Sequence, residues 1–354
     1  MTKRQMIYLA CTGAVLATGL GAAPSAGLPT VHRVEPGESI QAAVDAAMPG
    51  DTIVLSPGTY RESVRITKSD LTLRGSGAAA SVLVPGAASA GTCATSGHGV
   101  CVTGAAGSPV AGATVRSLTL KGFAKNGLWA SRTDRLTVRN VTAENNGQWG
   151  VALERSVRSA LSHNIARNNG DAGLFVANTN DHGEEGALDT NGTAVHHNLL
   201  VGNRIGITVR RLRNVFVGHN EATGNCAAVF LVGDETPPRA GALSVHHNYI
   251  HANNKYCPKN PRLPFLQGSG IVLTGVEKSL VTKNLVQDNV GASPLSGGIV
   301  LFKSFVAAFN ESNDIRDNVL LRNGPADLAN RDDAAKDNTF QRNTCAVSEP
   351  AGMC

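Results

Sequence analysis

Short runs of alternating apolar and small or polar residues recur along most of this chain. Several begin with glycine and continue as an alternating apolar segment, at residues 150–153, 173–176, 206–209, 270–273 and 298–301. Other short runs, at residues 215–217 and 243–245, show the same alternation. A period of two indicates β-strands with one buried face, and the recurrence predicts three short strands in each repeating unit.

Asparagine pairs with the spacing N-x-x-x-x-N mark the repeating unit. The eight pairs are Asn140/Asn145, Asn164/Asn169, Asn198/Asn203, Asn220/Asn225, Asn248/Asn253, Asn284/Asn289, Asn318/Asn323 and Asn338/Asn343. A repeat of about 22–24 residues at its shortest is typical of solenoids. Asparagine tolerates the left-handed backbone of a sharp turn, and its amide can bond its copy in the next unit. We therefore interpret the first members of the pairs as a structural ladder that includes Asn164, Asn198, Asn220, Asn248, Asn284 and Asn318.

Three strands and three turns per unit describe a parallel β-helix, whose coils stack about 4.8 Å apart. On these repeats the chain resembles the right-handed parallel β-helix repeat proteins, a group similar to pectate lyases, polygalacturonases, alginate epimerases and NosD-type accessory proteins. The segment GESIQAAVDAAMPGDTIVLSPGTYRESVRI, residues 37–66, looks like the opening of that family. The resemblance covers about residues 31–345 and implies an all-β, single-stranded, right-handed solenoid. A short N-terminal helix, capped by Ser39, would close its open end.

The N-terminal residues have the pattern of a secretory signal. Lys3 and Arg4 precede an apolar run at residues 6–20, and small residues follow to residue 27. We therefore predict a signal peptide at 1–27 and a secreted β-helix domain at 28–354, most regular at 114–345. A retained membrane anchor is the alternative for this leader. No later run is long enough to span a membrane.

Composition and cysteine content narrow the class of protein. A hydrophobic fraction of 42% excludes wholesale disorder, and 39 glycines with only 17% charged residues favour β structure. A net charge of +5 is too mild to indicate a nucleic-acid partner. Outside the leader, an even number of cysteines suggests disulfides in an exported, monomeric protein, with zinc binding as the rival interpretation. Neighbour pairing would join Cys93 to Cys101, Cys226 to Cys257 and Cys345 to Cys354.

Insertions in the repeat indicate where a ligand would bind. They fall at residues 178–192, 233–242, 254–269, 290–297 and 303–313, and all flank one column of strands. Insertions clustered on one face commonly mark a binding face. Aromatic residues that point outward there, with one loop lysine, are candidates to bind sugar rings: Trp129, Phe175, Phe230 and Lys255. The alternative is that the loops cover this face as a second small core.

Charge in these loops is segregated. The first insertion carries Asp181 and Asp189, whereas Arg210 lies on the neighbouring strand and Lys255 in a basic loop. A basic cleft beside an acidic loop would suit a uronate polymer, with Asp181 and Asp189 as candidate Ca²⁺ ligands. Ordinary solvated loop charges are the alternative. The expected partner is a polysaccharide or a cell-surface glycan.

Two cleavage mechanisms can be tested against these residues. β-Elimination on a uronate needs a cation to neutralise the carboxylate and a base near C5, and Arg210 is the best candidate for either role. Hydrolysis needs two carboxylates about 5–10 Å apart, and Glu154 with Asp181 is the available pair. We favour a lyase over a hydrolase. The alternative from another class is a non-catalytic accessory solenoid similar to the NosD type.

A column of histidines suggests a further alternative, the handling of a metal ion. His163, His197, His219 and His247 each precede a ladder asparagine, and His196 and His246 lie beside two of them. Imidazoles stacked about 5 Å apart could bind a soft divalent metal. Against this interpretation, histidine is also a tolerable polar turn residue, and no cysteine or carboxylate occupies these positions of the column.

Overall fold

The computed structural model describes residues 28–86, 92–178 and 185–354. The predicted signal peptide, Cys11 and Asp181 lie outside the described residues. The described part winds as a right-handed parallel β-helix with three strands per coil, which confirms the predicted fold. Each sheet runs along the solenoid axis, and its strands follow one another in chain order.

Three long sheets contain nearly all of the described strands. Sheet 1 consists of Val31–Val34, Thr52–Leu55, Thr72–Gly75, Thr114–Arg116, Thr137–Arg139, Ala160–Ser162, Leu188–His196, Leu212–Gly218, Ser244–His246, Leu280–Thr282, Asp314–Arg316 and Thr339–Gln341. Sheet 2 consists of Gly58–Arg61, Ser81–Val84, Thr119–Lys121, Thr142–Glu144, Ile165–Arg167, Leu199–Val201, Glu221–Thr223, Tyr249–His251, Leu285–Gln287 and Val319–Leu321. Sheet 3 consists of Val64–Ile66, Val100–Thr103, Leu128–Ser131, Val151–Glu154, Ala172–Ala177, Ile205–Arg210, Ala227–Val232, Ser269–Thr274, Gly297–Phe302, Leu328–Arg331 and Ser348–Glu349. A separate pair joins Val110–Ala111 to Thr133–Asp134.

The pairing register of the sheets places similar residues on top of one another along the inside of the coil. In sheet 1, Val195 pairs with Val217 and Val217 with Val245, and all three side chains are buried. In sheet 3, Leu231 continues a similar inward column. One apolar core therefore runs the length of the solenoid, and each coil buries its inner face against two neighbours.

A short helix, Ile40–Ala46, closes the N-terminal end of the coil as predicted. Its buried residues are Ile40 and Val44, and the Ser39 hydroxyl accepts a hydrogen bond from the Ala42 N–H at 3.2 Å. The Glu62 carboxylate accepts from the Ile40 N–H at 2.7 Å, so a negative charge meets the first turn. A second helix in the described part, Thr92–Thr95, is a single turn.

The asparagine ladder lies at the turn between sheets 1 and 2. The side-chain oxygen of each rung accepts from the backbone N–H and from the side-chain amide of the previous rung, at 2.9–3.1 Å in the rungs from Asn164 to Asn343. Each amide also donates to a backbone carbonyl of the preceding coil, as Asn220 does to Val195 at 2.9 Å. The rungs are buried, so these turns satisfy their polar groups without water. They are Asn164, Asn198, Asn220, Asn248, Asn284, Asn318 and Asn343.

The register of two predicted pairs was wrong. Asn140 and Asn145 each lie one position before a rung and adopt the left-handed conformation, with φ of 52° and 55°. Val141 occupies the rung position that follows Asn140. Asn338 and Asn343 belong to two different ladders, because Asn338 accepts from Asn313 at the turn between sheets 3 and 1. The spacing alone does not distinguish the rung from the left-handed residue before it.

A second ladder lies at the turn between sheets 2 and 3 and ends on a carboxylate. Asp327 accepts from the Asn323 N–H at 2.9 Å and from its side-chain amide at 3.0 Å. Its other oxygen accepts from the Ala346 N–H at 3.0 Å. Aspartate fits because the last position only accepts hydrogen bonds.

Three disulfides stabilise the described part of the chain. Each joins two consecutive cysteines of the sequence: Cys93–Cys101, Cys226–Cys257 and Cys345–Cys354. They are compatible with export to an oxidising compartment. Among the described residues, no helix combines the length and apolar character needed to cross a membrane.

Candidate functional site

The outer face of sheet 3 is covered by inserted loops over much of its length. Loop residues such as Leu266 and Leu295 pack with strand residues such as Val272 and Val300, and all four are fully buried. A second apolar cluster therefore lies outside the solenoid wall, which is the alternative that the sequence left open. The face is not a long open groove.

One cavity of about 270 Å³ remains between this cluster and the loops. Strands of sheet 3 contribute Phe175, Arg210 and Phe230 to its walls, and two loops close it with Arg262 and Phe305. Its remaining lining consists of Asp171, Ile205, Thr208, Arg211, Val232, Gly233, Asp234, Leu263, Thr274, Ser304 and Val306. Aromatic faces with a few convergent polar groups are the usual make-up of a small-molecule site.

A stacked pair of aromatic rings adjoins the cavity, and only Phe175 of the pair lines it. Trp149 lies parallel to Phe175, with 3.9 Å between ring centroids and 4° between planes. The Trp149 Nε1–H donates to the Asp171 carboxylate at 3.2 Å, and Arg262 donates to the same oxygen at 3.0 Å. The indole is thus fixed beside the cavity by both packing and hydrogen bonding.

The loop that supplies Arg262 is fixed at two points. The disulfide Cys226–Cys257 ties it to the start of a sheet 3 strand. The buried Arg204 guanidinium donates to the carbonyl of Pro258 at 2.7 Å and to that of Pro264 at 3.4 Å. These contacts hold one wall of the cavity to the solenoid.

Arg210 differs from the other two arginines that line the cavity. Arg211 forms an ion pair with Asp234, and Arg262 pairs with Asp171. Within the described ranges, the Arg210 guanidinium has no hydrogen-bond or ion-pair partner. Burial lowers the pKa of Arg210, the positive charges of Arg211 and Arg262 lower it further, and Glu154 opposes this effect. A half-buried guanidinium without a hydrogen-bonded partner among the described residues favours an anionic ligand.

Residues 89–240 match the family model described as a right handed beta helix region. No curated protein sequence matches the chain. The chain is similar to the A-module of a mannuronan C-5 epimerase from Azotobacter vinelandii, with 19% identity, a TM-score of 0.56, and coverage of 89% of this chain and 96% of that one. The match confirms the fold. The chain has the architecture of the right-handed parallel β-helix proteins.

Two further solved structures support this assignment. DFA-IIIase from Arthrobacter chlorophenolicus A6 is 15% identical, with a TM-score of 0.59 and coverage of 87% of this chain and 79% of that one. The family 28 exopolygalacturonase of Yersinia enterocolitica is 12% identical, with a TM-score of 0.52 and coverage of 89% and 75%. At these identities the likeness shows the fold, and the ligand must be argued from the site itself.

The β-helix brings together only some of the residues that the sequence singled out. Phe175, Phe230 and Arg210 line the same cavity. Lys255 does not line it, because the side chain is exposed and donates to the Gly202 carbonyl at the turn between sheets 2 and 3. Trp129 is also elsewhere, and it stacks on the buried His98 with 5.3 Å between ring centroids. Lys255 and Trp129 are therefore removed from the candidate binding residues of this cavity.

Of the carboxylates proposed for catalysis and Ca²⁺ binding, the two that the structure describes, Glu154 and Asp189, do not line the cavity. Glu154 lies in the same outward column as Arg210 but two coils away, separated by Ala177. Asp189 lines a separate concavity, where its two oxygens accept from the Asn191 N–H at 2.8 Å and the Asn214 amide at 2.7 Å. These bonds lower the pKa of Asp189 and hold its carboxylate outside the cavity on sheet 3.

Sequence reasoning missed the two carboxylates that do line the cavity, Asp171 and Asp234. Asp171 lies in the turn just before a sheet 3 strand, and Asp234 follows another such strand by two residues. Both positions were available from the strand assignment. Their convergence on one cavity depends on loop conformations that the repeat pattern does not specify.

His98 leads to a prediction about pH. Burial, and then the charge of Lys125, lower its pKa to about 4 from an ordinary value of 6.5. Between these values the unfolded chain binds a proton that the folded chain does not, so stability falls as pH decreases from 6.5 to 4. His98→Phe keeps a ring against Trp129, and the imidazole Nδ1 has no partner to lose among described residues. Urea unfolding at several pH values should show a weaker loss of stability in acid for this variant than for wild type. Parallel pH curves for the two proteins would contradict the prediction.

Proposed function

We propose that the cavity on sheet 3 binds an acidic saccharide and that the Arg210 guanidinium takes its carboxylate. The observation that carries the proposal is the Arg210 guanidinium, which has no ion-pair partner among the described residues, in a wall that also presents Phe175 and Phe230. Guanidinium groups bind carboxylates through two parallel hydrogen bonds, and aromatic faces pack against the apolar faces of sugar rings. Uronate units combine both features in one ligand.

The size of the cavity limits the ligand to a short segment. A volume of about 270 Å³ is just below the range of about 300–1,000 Å³ for small-molecule sites. The second apolar cluster fills the face farther along the solenoid, at Val272 and Val300. A chain end or a short oligosaccharide fits this arrangement better than the middle of a long polymer.

Cleavage by β-elimination is the finer part of the proposal. In that reaction a base removes the C5 proton, a C4–C5 double bond forms, and the bond from C4 to the leaving oxygen breaks. Arg210 would neutralise the uronate carboxylate and so acidify the C5 proton. The described lining offers Asp171 and Asp234 as proton acceptors, both held in ion pairs with arginines. Names of similarly folded proteins, a mannuronan epimerase and an exopolygalacturonase, support a saccharide ligand.

Binding can be followed through Trp149, one of only two tryptophans in the chain. In a Trp129→Phe background, acidic oligosaccharides should change the Trp149 fluorescence, and uncharged oligosaccharides of equal length should bind more weakly. Arg210→Gln should weaken the binding of acidic oligosaccharides at least about tenfold, because a hydrogen bond to a charged group contributes about 1.5–3 kcal/mol. Arg74→Gln, at an exposed position on sheet 1, is the matched control and should bind normally.

Assays of product formation on the same variants distinguish saccharide binding from saccharide cleavage. Ultraviolet absorbance of unsaturated ends would report β-elimination, and new reducing ends without that absorbance would report hydrolysis. Binding without either product would leave a saccharide-binding solenoid. Absence of binding to all acidic and neutral saccharides would overturn the proposal in favour of a non-catalytic accessory solenoid.

A further inference from the structure

The turn between sheets 1 and 2 carries a stack of imidazoles on the outside of the solenoid. Four histidines have a left-handed backbone conformation, with φ of 55–56°, and each immediately precedes a buried ladder asparagine: His163, His197, His219 and His247. Their ring centroids are 5.1, 4.9 and 5.1 Å apart from coil to coil, with planes within 13° of parallel. The ladder therefore sets the spacing of a column of exposed imidazoles.

Two strand-end histidines turn this column into a cluster. The Nδ1 of His246 lies 2.8 Å from the Nδ1 of His247, and His196 makes the same contact with His197 at 2.9 Å. Between the two pairs, Gly218 has no side chain, and the Phe216 ring fills the space with its centroid 4.6 Å from that of His246. A Cβ on Gly218 would lie 2.2 Å from that ring, so a larger residue there would displace the Phe216 side chain.

Three of these histidines converge. The side-chain nitrogens that His219, His246 and His247 offer lie within 4.8 Å of one another. In a tetrahedral site with bonds of about 2.0–2.1 Å, ligand nitrogens are about 3.3 Å apart. Side-chain rotations that move these nitrogens by about an ångström would therefore bring all three onto one ion. His219 and His247 are exposed and His246 is half-buried, which leaves a path for the ion and room for a water ligand.

The donor set selects the class of metal. Three imidazoles without a carboxylate suit zinc and copper ions and do not suit Ca²⁺ or Mg²⁺, which require oxygen. The nearest other charges are cationic, Lys283 near His246 and Arg139 near His196, and they oppose binding without occupying the nitrogens.

We propose that His219, His246 and His247 form a surface site for one divalent transition-metal ion of the zinc and copper class. The site lies on the turn between sheets 1 and 2, away from the cavity on sheet 3, and does not depend on the proposed saccharide function. The ladder asparagines Asn220 and Asn248 fix the backbone immediately after two of the ligands.

The test uses the full exported chain without an affinity tag, titrated with ZnCl₂ by calorimetry. One equivalent should bind. The variant that combines His246→Thr with His247→Asn should bind Zn²⁺ more than about tenfold more weakly, since even outer-shell changes cost about 10–100-fold. Both replacements are compatible with the turn, because Thr282 follows His246 in its strand column and Asn140 is also left-handed before a rung position.

The matched control is His251→Gln. His251 lies in the same coil on sheet 2, outside the cluster, and pairs in register with Gln287 of the next coil. This variant should bind Zn²⁺ like the wild type, and thermal unfolding should show that all variants are folded. With Cu²⁺, electron paramagnetic resonance should show nitrogen ligands that are lost in the double variant. Three results would overturn the proposal: no saturable binding by the wild type, unchanged binding by the double variant, or equal loss in the His251 control.

Discussion

Replacing Asn220 by alanine is expected to lower the free energy of unfolding by about 3 kcal/mol or more, because each buried polar group left without a partner costs about 1–3 kcal/mol. The Asn220 side chain accepts from the N–H and the amide of Asn198, and it donates to Val195 and to Asn248. Alanine removes all four bonds. The two donors of Asn198 and the Val195 carbonyl then lose partners in a turn that water does not reach.

Urea unfolding followed by circular dichroism measures this effect. The control is Glu221→Ala, the next residue, whose exposed side chain pairs with His251 and should contribute less than about 1 kcal/mol. A loss of less than about 1 kcal/mol for the Asn220 variant would mean that water replaces the missing amide, and the ladder would not stabilise the fold as proposed.

The ladder also shows how far the sequence determines this fold. Alternating strands and the asparagine spacing predict the solenoid because every coil repeats the same physical problem, a sharp turn with buried polar backbone groups. The register failed at Asn140 and Asn145, where asparagine occupies the left-handed position next to the rung. Asparagine satisfies both positions, so composition cannot separate them.

The site was only partly predictable. Period-two alternation placed Phe175, Arg210 and Phe230 outward on one face, because side-chain direction in a strand follows from residue count. It could not determine how the loops fold back over that face. The partners of Asp171 and Asp234, and the exclusion of Lys255, result from contacts between segments far apart in sequence.

Replacing Phe230 by alanine should destabilise the protein by about 3–5 kcal/mol, the range for removal of a buried phenyl group. Phe230 is 1% exposed and packs in the second apolar cluster, in register with Thr208 and Val272. It also lines the cavity, so its loss enlarges the cavity and removes one aromatic wall. We therefore expect a second effect, weaker binding of acidic oligosaccharides, because the enlarged cavity fits the ligand less closely.

Leu231→Ala separates the two effects. Leu231 is the next residue on the same strand, fully buried on the opposite face in the solenoid core. Its truncation should cost a comparable about 2–5 kcal/mol of stability but leave saccharide affinity unchanged in the folded protein. Urea unfolding and Trp149 fluorescence titration on both variants give the two readouts. Equal affinity in the two variants would remove Phe230 from the site, whereas full stability of the Phe230 variant would show that the loops do not form a packed second core. Together the pair tests whether the outer face of sheet 3 contributes both to folding and to recognition.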